Sequence, residues 1–171
     1  SGDEYTRSLA RIREYIRDGH TYQVNFTYRL HAGFDADPWA VFRRIMAEHP
    51  APFAAFADTG DWVICSASPE LFFRLDAGRI ESRPMKGTAP RGLWPADDEA
   101  CAAGLLASHK ERAENLMIVD LARNDIGRVA NTGSVHVPAL FSLEKYPTVW
   151  QMTSTVRAET SASLTEILQA L

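Results

Sequence analysis

The sequence predicts an α+β fold with largely antiparallel sheets, and two observations indicate it. Short apolar runs are joined by turn sequences of the hairpin type, at residues 58–61 and 76–78. Segments with apolar residues at helical spacing stand before and after these hairpins. A mixture of helices and hairpin-connected strands is typical of α+β proteins rather than of parallel α/β folds.

Five segments are predicted to be helices. In the first, apolar residues recur at helical spacing from Tyr5 to Ile16, and Gly19 is a natural stop. Asp37 and Pro38 predict an N-cap and the first residue of a second helix that ends near residue 49. Further helices are predicted over residues 97–108, 110–128 and 163–171.

The strands are predicted from alternation and from short apolar runs. Residues 22–30 alternate strictly between apolar and polar side chains, which predicts a half-buried strand. Residues 53–57 and 62–66 predict one hairpin, and residues 71–75 and 79–85 predict a second. Later strands are predicted over residues 135–138, 141–146 and 148–157.

Composition and charge exclude several classes of protein. The 171 residues are 46% hydrophobic and 23% charged, with a net charge of −4, so a general nucleic-acid binder is not expected. No apolar run approaches the ~20 residues of a membrane span, and no membrane association is expected. The two cysteines lie far apart, which argues against a structural zinc site and fits a cytoplasmic protein.

Residues 83–92 contain the clearest candidate nucleophile. Lys86 lies after Pro84 and before a Gly-Thr pair, and the predicted hairpin places it at the end of a strand. Arg83 and Arg91 flank it with guanidinium groups suited to carboxylates. The alternative interpretation is a basic surface loop.

Three carboxylate sites are candidates for acid–base chemistry or for Mg²⁺. Glu70 precedes a predicted strand, although it could simply be an acid at a helix start. Glu111 and Glu114 are neighbours on one helix face, which could also be a solvated salt-bridge face. Asp120 begins a polar group on the same helix, residues 120–125, which predicts an internal hydrogen-bond network.

Taken together, the motifs resemble those of the chorismate-utilising enzymes, which include anthranilate synthase component I, aminodeoxychorismate synthase component I and the isochorismate and salicylate synthases. The segments that carry the resemblance are residues 22–25, 49–53, 68–70, 83–92, 110–125 and 146–149. The implied fold is a two-sheet sandwich with flanking helices. Lys86 indicates the aminodeoxychorismate synthase branch, because anthranilate synthases typically carry Ala at this position.

The resemblance also implies site roles and a reaction. Lys86 would bond covalently to chorismate, Glu70 would protonate the departing hydroxyl, and Glu114 would be a ligand of Mg²⁺. Gly87 would let the main chain approach the substrate, and Thr88 would offer a hydroxyl. The product would be 4-amino-4-deoxychorismate for folate synthesis, with ammonia from a glutamine amidotransferase subunit or domain. Such an enzyme would be a transferase of the transaminase class.

The resemblance further implies that residues 1–171 are the first half of a chorismate-binding catalytic domain. The C-terminal half, with a second magnesium-binding glutamate, would be missing, so the active site is expected to be incomplete. Two alternatives stay open. One is anthranilate synthase component I or another chorismate-utilising enzyme, and the other is a non-catalytic module that keeps part of the fold.

Overall fold

The structure is a computed structural model that describes residues 2–171. The chain divides into a unit that reaches to Ala36 and a second unit that begins at Asp37. Helix α1 (Gly2–Arg17) occupies most of the first unit. Gly19 follows it with φ +77°, a conformation that glycine adopts without steric cost, so the predicted first helix and its stop are confirmed.

The strand predicted over residues 22–30 is wrong. The segment has no regular secondary structure, and no strand forms among residues 2–36. Alternation of apolar and polar residues indicates which side chains share a face. A strand also needs a neighbouring strand with which its main chain forms hydrogen bonds. Two of its aromatic residues instead contact α1, where the ring of Tyr5 lies 5.5 Å from that of Phe26 and 6.4 Å from that of Tyr28.

The second unit begins with a helix and a hairpin that the sequence predicts correctly. Helix α2 (Pro38–Glu48) is capped by Asp37, whose carboxylate accepts the N–H groups of the second and third helical residues at 3.2 and 3.0 Å. Strands β1 (Phe53–Asp58) and β2 (Val63–Ser68) then form an antiparallel pair.

A five-stranded antiparallel sheet forms the centre of this unit. Its middle strand is β7 (Val149–Glu159). One edge of β7 pairs with β4 (Arg79–Arg83) and then with β5 (Met85–Pro90). Its other edge pairs with β6 (His136–Lys145), and β3 (Leu71–Asp76) pairs with β4. The sequence predicts β6 as two strands, whereas it is one strand with two register shifts.

Pro84 separates β4 from β5, which corrects the predicted strand over residues 79–85. Proline has no N–H and cannot donate to a ladder, but its carbonyl accepts the N–H of Ser154 at 3.1 Å. The main-chain hydrogen bonds to β7 therefore continue from β4 to β5 across Pro84. Because β5 begins at Met85, Lys86 lies inside a strand and not at the end of one.

Three further helices complete the unit: α3 (Pro95–Ala107), α4 (His109–Gly127) and α5 (Leu164–Ala170). Helix α4 packs on β5 and β7. The core lies where α4 and α5 meet the sheet, and its buried members are Ile80, Val119, Ile126, Val156, Ala158 and Ile167. The five helices and two sheets of residues 2–171 confirm the α+β class. Across residues 2–171, none of the helices has the length and apolar character that crossing a membrane requires.

The internal network predicted around Asp120 is wrong. The side chain of Asp120 is 75% exposed, and its ion pair with Arg123 at 2.9 Å lies on the surface. The amide of Asn124 donates to the neighbouring Asp125 at 3.4 Å, also on the exposed surface. Asp120, Arg123 and Asn124 are exposed, whereas Asp125 is half-buried and lines a cavity that Glu70 also lines.

Candidate active site

Lys86 lies in a β-bulge of β5. Met85 pairs with Thr153 and Thr88 with Gln151, so β5 advances by three residues where β7 advances by two. The extra residue of a bulge changes the direction of the side chains on the bulged strand, and such features are frequent beside active sites. Lys86 is half-buried in this bulge. The hydroxyl of Thr88 donates to the Gln151 amide oxygen at 2.9 Å.

Gly87 has a structural reason to be glycine. Its φ is +104°, and a Cβ at this position would lie 3.2 Å from the Cβ of Met152 and 3.4 Å from the Cβ of Glu111. Any larger residue would strain the main chain and press against α4. Neighbouring protein atoms therefore occupy the space that a side chain at residue 87 would need. The role of Gly87 towards a substrate stays a prediction.

Glu70 is held next to the same strand. Its carboxylate oxygen Oε1 accepts the main-chain N–H of Met85 at 2.8 Å, one residue before Lys86. The N–H of Glu70 itself donates to the hydroxyl of Ser68 at 3.3 Å. Glu70 precedes β3 and starts no helix, which removes the helix-start interpretation.

Two carboxylates of α4 converge on one cationic nitrogen. The ammonium of Lys110 lies 2.9 Å from Glu111 Oε1 and 3.1 Å from Glu114 Oε1, and hydrogen bonding to Glu111 raises the pKa of Lys110. One small cation can thus be reached by both carboxylates. Mg²⁺ commonly takes one or two protein carboxylates and fills its shell with water and substrate oxygens. The pair therefore fits Mg²⁺, although residues 2–171 contain no cluster of three potential ligands.

Asn115 connects α4 to the bulge. It is fully buried, and its amide donates to the carbonyl of Lys86 at 3.0 Å. The turn that carries Glu111 and Glu114 is thereby fixed to the main chain of Lys86, while Glu70 is fixed to the preceding residue. Glu70 and the helix turn that carries Glu114 are thus both hydrogen-bonded to the main chain at residues 85–86, and the roles of nucleophile, acid and metal ligand stay predictions.

A carboxylate on β6, that of Glu144, takes part in a polar cluster that has no signal in the sequence. Glu144 on β6 accepts hydrogen bonds from Arg83, from the hydroxyl of Thr153 at 2.8 Å and from that of Tyr146 at 2.9 Å. Burial and the bond to Glu144 raise the pKa of Tyr146 to about 12. These residues meet because β6 and β4 both pair with β7, so no local pattern could predict the cluster.

The two arginines that flank Lys86 are not available as predicted. Arg83 is paired with Glu144. Arg91 forms a two-pronged pair with Asp98, at 2.6 and 2.7 Å, and donates to the carbonyl of Tyr146. The hydrogen bond from Arg91 holds the pKa of Asp98 well below its ordinary value. Both guanidinium groups are therefore paired with carboxylates of the protein itself.

Comparison with known proteins adds to this geometry. The model of a family described as chorismate binding enzyme matches residues 1–171. The chain belongs to this family. The family resemblance noted in the sequence is confirmed. The structure adds that Lys86 lies in a β-bulge and that Glu70 is hydrogen-bonded to the preceding residue of that strand.

Curated relatives are similar over nearly the whole chain. It is 46% identical over 169 residues to aminodeoxychorismate synthase component 1 of Salmonella typhimurium, covering 98% of this chain and 37% of that protein. It is 46% identical over 168 residues to aminodeoxychorismate synthase of Streptomyces pristinaespiralis, covering 94% of this chain and 23% of that protein. The chain thus spans 23% to 37% of the length of these two relatives.

Solved structures show the same fold. Anthranilate synthase component I of Streptococcus pneumoniae superposes with a TM-score of 0.70 at 32% identity, over 80% of this chain and 30% of that chain. A 2,3-dihydroxybenzoate-specific isochorismate synthase of Bacillus anthracis superposes with a TM-score of 0.64 at 24% identity, over 79% of this chain and 38% of that chain. The second likeness supports the fold alone.

Proposed function

We propose that the gene product containing this segment aminates chorismate, as component I of an aminodeoxychorismate synthase. Chorismate and ammonia would give 4-amino-4-deoxychorismate and water, an amination of the transaminase class. The observation that carries the proposal is the bulge that presents Lys86 with Glu70 held at the adjoining amide. The similarity to curated aminodeoxychorismate synthases, at 46% identity, supports the same choice over anthranilate synthase.

Lys86 and Glu70 would divide one difficult displacement into two easier steps. The unprotonated amine of Lys86 would bond to C2 of chorismate, both conjugated ring double bonds would shift by one position, and the bond between C4 and its hydroxyl would break. Glu70 gives its proton to the departing hydroxyl, which leaves as water. Ammonia would then bond to C4, both double bonds would shift back, and the bond between Lys86 and C2 would break. The nitrogen added at C4 would return a proton to Glu70.

The position of Glu70 suits this role. The N–H of Met85 occupies Oε1 and fixes the side chain beside the strand that carries the nucleophile. The proton to be transferred would then reside on the other carboxyl oxygen. A group that is fixed in this way needs little reorganisation when the bond to the leaving group breaks.

Glu114, together with Glu111, would hold Mg²⁺ on the neighbouring turn of α4. When bound, the ion neutralises a substrate carboxylate and fixes the position of the ring. Lys110 would then have to leave the position between the two carboxylates, which its 72% exposed side chain can do without disturbing the core. Ammonia would come from a glutamine amidotransferase, a partner that the name component 1 of the Salmonella relative suggests.

Product analysis tests the proposal. The gene product at its natural length is incubated with chorismate, ammonium and Mg²⁺. The products are separated by chromatography and identified by mass spectrometry. We expect 4-amino-4-deoxychorismate, whereas anthranilate as the main product would support the alternative enzyme. Without ammonia, a covalent adduct should be found on Lys86 and be absent in Lys86→Ala. Lys145→Ala is the matched control, since Lys145 lies outside the site and pairs with Asp98.

A further inference from the structure

The main chain at Lys86 is held by a side chain from outside the sheet. Asn115 on α4 donates to the carbonyl of Lys86 at 3.0 Å and to the carbonyl of Met152 at 3.1 Å. Met152 lies in β7 opposite the bulge, between the two registered pairs. A bulge interrupts the ladder of hydrogen bonds, so its carbonyls need partners from elsewhere. One amide therefore joins both sides of the bulge.

The orientation of this amide is fixed by its surroundings. Carbonyl oxygens only accept, so the NH₂ group of Asn115 must face Lys86 and Met152. Its oxygen accepts the hydroxyl of Ser154 at 2.6 Å, and Ser154 in turn accepts the N–H of Phe141 at 3.1 Å. Asn115 and Ser154 are both 0% exposed. A fully satisfied buried network of this kind has one arrangement and resists movement.

Phe141 extends the network to β6. Its φ is +58°, which is uncommon for an aromatic residue and persists only where the surroundings enforce it. The guanidinium of Arg112, also on α4, lies 4.8 Å from the centre of its ring. Phe141 lies at one of the two register shifts of β6. Helix α4 thus contacts this register shift through Arg112 and the bulge of Lys86 through Asn115.

We propose that Asn115 is a positioning residue for Lys86, in a role that rests on the function proposed above. Asn115 directly follows Glu114 and lies one turn after Glu111. Its bond to the Lys86 carbonyl therefore sets the separation between the nucleophile and the acidic pair that would hold the substrate through Mg²⁺. A misplacement of about 1 Å at such a site can lower the rate on the order of 100-fold.

Hydrogen exchange tests the anchor without any activity. In the gene product, amide exchange in peptides that cover β5 is followed by mass spectrometry. Asn115→Ala should accelerate it on the order of tenfold, the effect of losing one hydrogen bond. Ser154→Ala, which keeps both amide donors, should give a smaller increase and serves if the first variant does not fold. The control Asn124→Ala, on the exposed face of α4, should change nothing.

A double-mutant cycle tests the consequence for catalysis. Asn115→Ala should lower kcat on the order of 100-fold and leave KM for chorismate within about threefold, because it misplaces the nucleophile but removes no substrate contact. In the Lys86→Ala background, the same substitution should lower the remaining rate by less than about threefold. A residue that acts only on folding would lower both backgrounds equally.

The outcomes separate this proposal from the proposed function. Equal losses in both backgrounds, a rise in KM alone, or unchanged exchange in β5 would each overturn the role of Asn115. Full turnover by Lys86→Ala, or no turnover of chorismate by the unmodified protein, would overturn the proposed function. If the proposed function is overturned, accelerated exchange in Asn115→Ala would still show that Asn115 anchors β5, but its positioning role in this reaction would be rejected.

Discussion

The two ends of β5 are held by buried polar clusters of opposite character. At the start, Asn115 forms a neutral cluster with two carbonyls and the hydroxyl of Ser154. Beyond the end, Asp98 forms a charged cluster with Arg91, Lys145, the indole N–H of Trp150 and the N–H of Gly92. The neutral amide adds no charge beside Lys86, whereas the charged cluster lies where β5 leaves the sheet.

The difference shows how one strand can be fixed at both ends by different means. The bonds of an amide to carbonyls do not depend on pH or salt. The charged cluster depends on both, since Asp98 must stay ionised and the side chain of Lys145 is 55% exposed to solvent. The neutral anchor is therefore suited to the nucleophile, and the charged one to the turn into α3.

The largest effect is expected from Gly92→Ala, which breaks the charged cluster without removing a charge. A Cβ at Gly92 would overlap the main chain of Asp97 and Asp98 at the start of α3, which cannot move aside as a flexible side chain would. We expect a loss of about 3 kcal/mol in the free energy of unfolding, measured with urea. Gly104→Ala is the control, because nothing lies near its added Cβ, and it should stabilise α3 by about 0.5–1 kcal/mol.

Asn115→Ala breaks the neutral cluster and is expected to have the next largest effect. Two carbonyls and one hydroxyl lose their partner in the core, which should cost about 2–3 kcal/mol. Because the cluster contains no titrating group, the loss measured by urea unfolding should be the same at pH 5 and pH 8. A loss that varied strongly with pH would show that charged groups contribute to this end of β5.

Asp98→Asn sharpens the contrast through its pH dependence. The hydrogen bond from Arg91 lowers the pKa of Asp98 below its ordinary value of 3.8, so its contribution is present above that pH and is lost as pH falls through the lowered value. Asp98→Asn should therefore be less stable than the unmodified protein at pH 7, and the difference should shrink as the pH is lowered below 3.8. Asp120→Asn, on the surface, controls for the loss of one charge; a constant difference for Asp98→Asn would contradict the assignment.

The smallest effect is expected at Thr88, which lies between the two clusters. Its hydroxyl bonds to the Gln151 amide on an exposed part of the sheet, so Thr88→Ala should change the free energy of unfolding by about 0.5 kcal/mol or less. If instead Thr88→Ala raised KM for chorismate without changing stability, the predicted role of this hydroxyl in substrate binding would gain support.

Local patterns in the sequence predict the helices and hairpins, because each is determined by neighbours in the chain. The cap of α2 and both hairpins are examples. The failures depend on distant partners. Residues 22–30 alternate as a strand does but pair with no other strand, and Asp120, Arg123 and Asn124 are exposed to solvent. Glu144 and Asn115 gain their contacts only through sheet pairing and helix packing, which spacing along the chain does not reveal.

The pairing of β4 and β5 along one edge of β7 limits how the sequence can change in length. Glu70 and Met85 are joined through the β3–β4 hairpin, whose tight turn places Ala77 and Gly78 at positive φ. Deleting one residue from β3 or β4 would shift the register of that strand by one residue. Its side chains would then point to the opposite face of the sheet, since side chains alternate along a strand. The spacing between Glu70 and Lys86 should therefore tolerate substitutions but neither insertions nor deletions, whereas the turn between β1 and β2 lies outside this constraint.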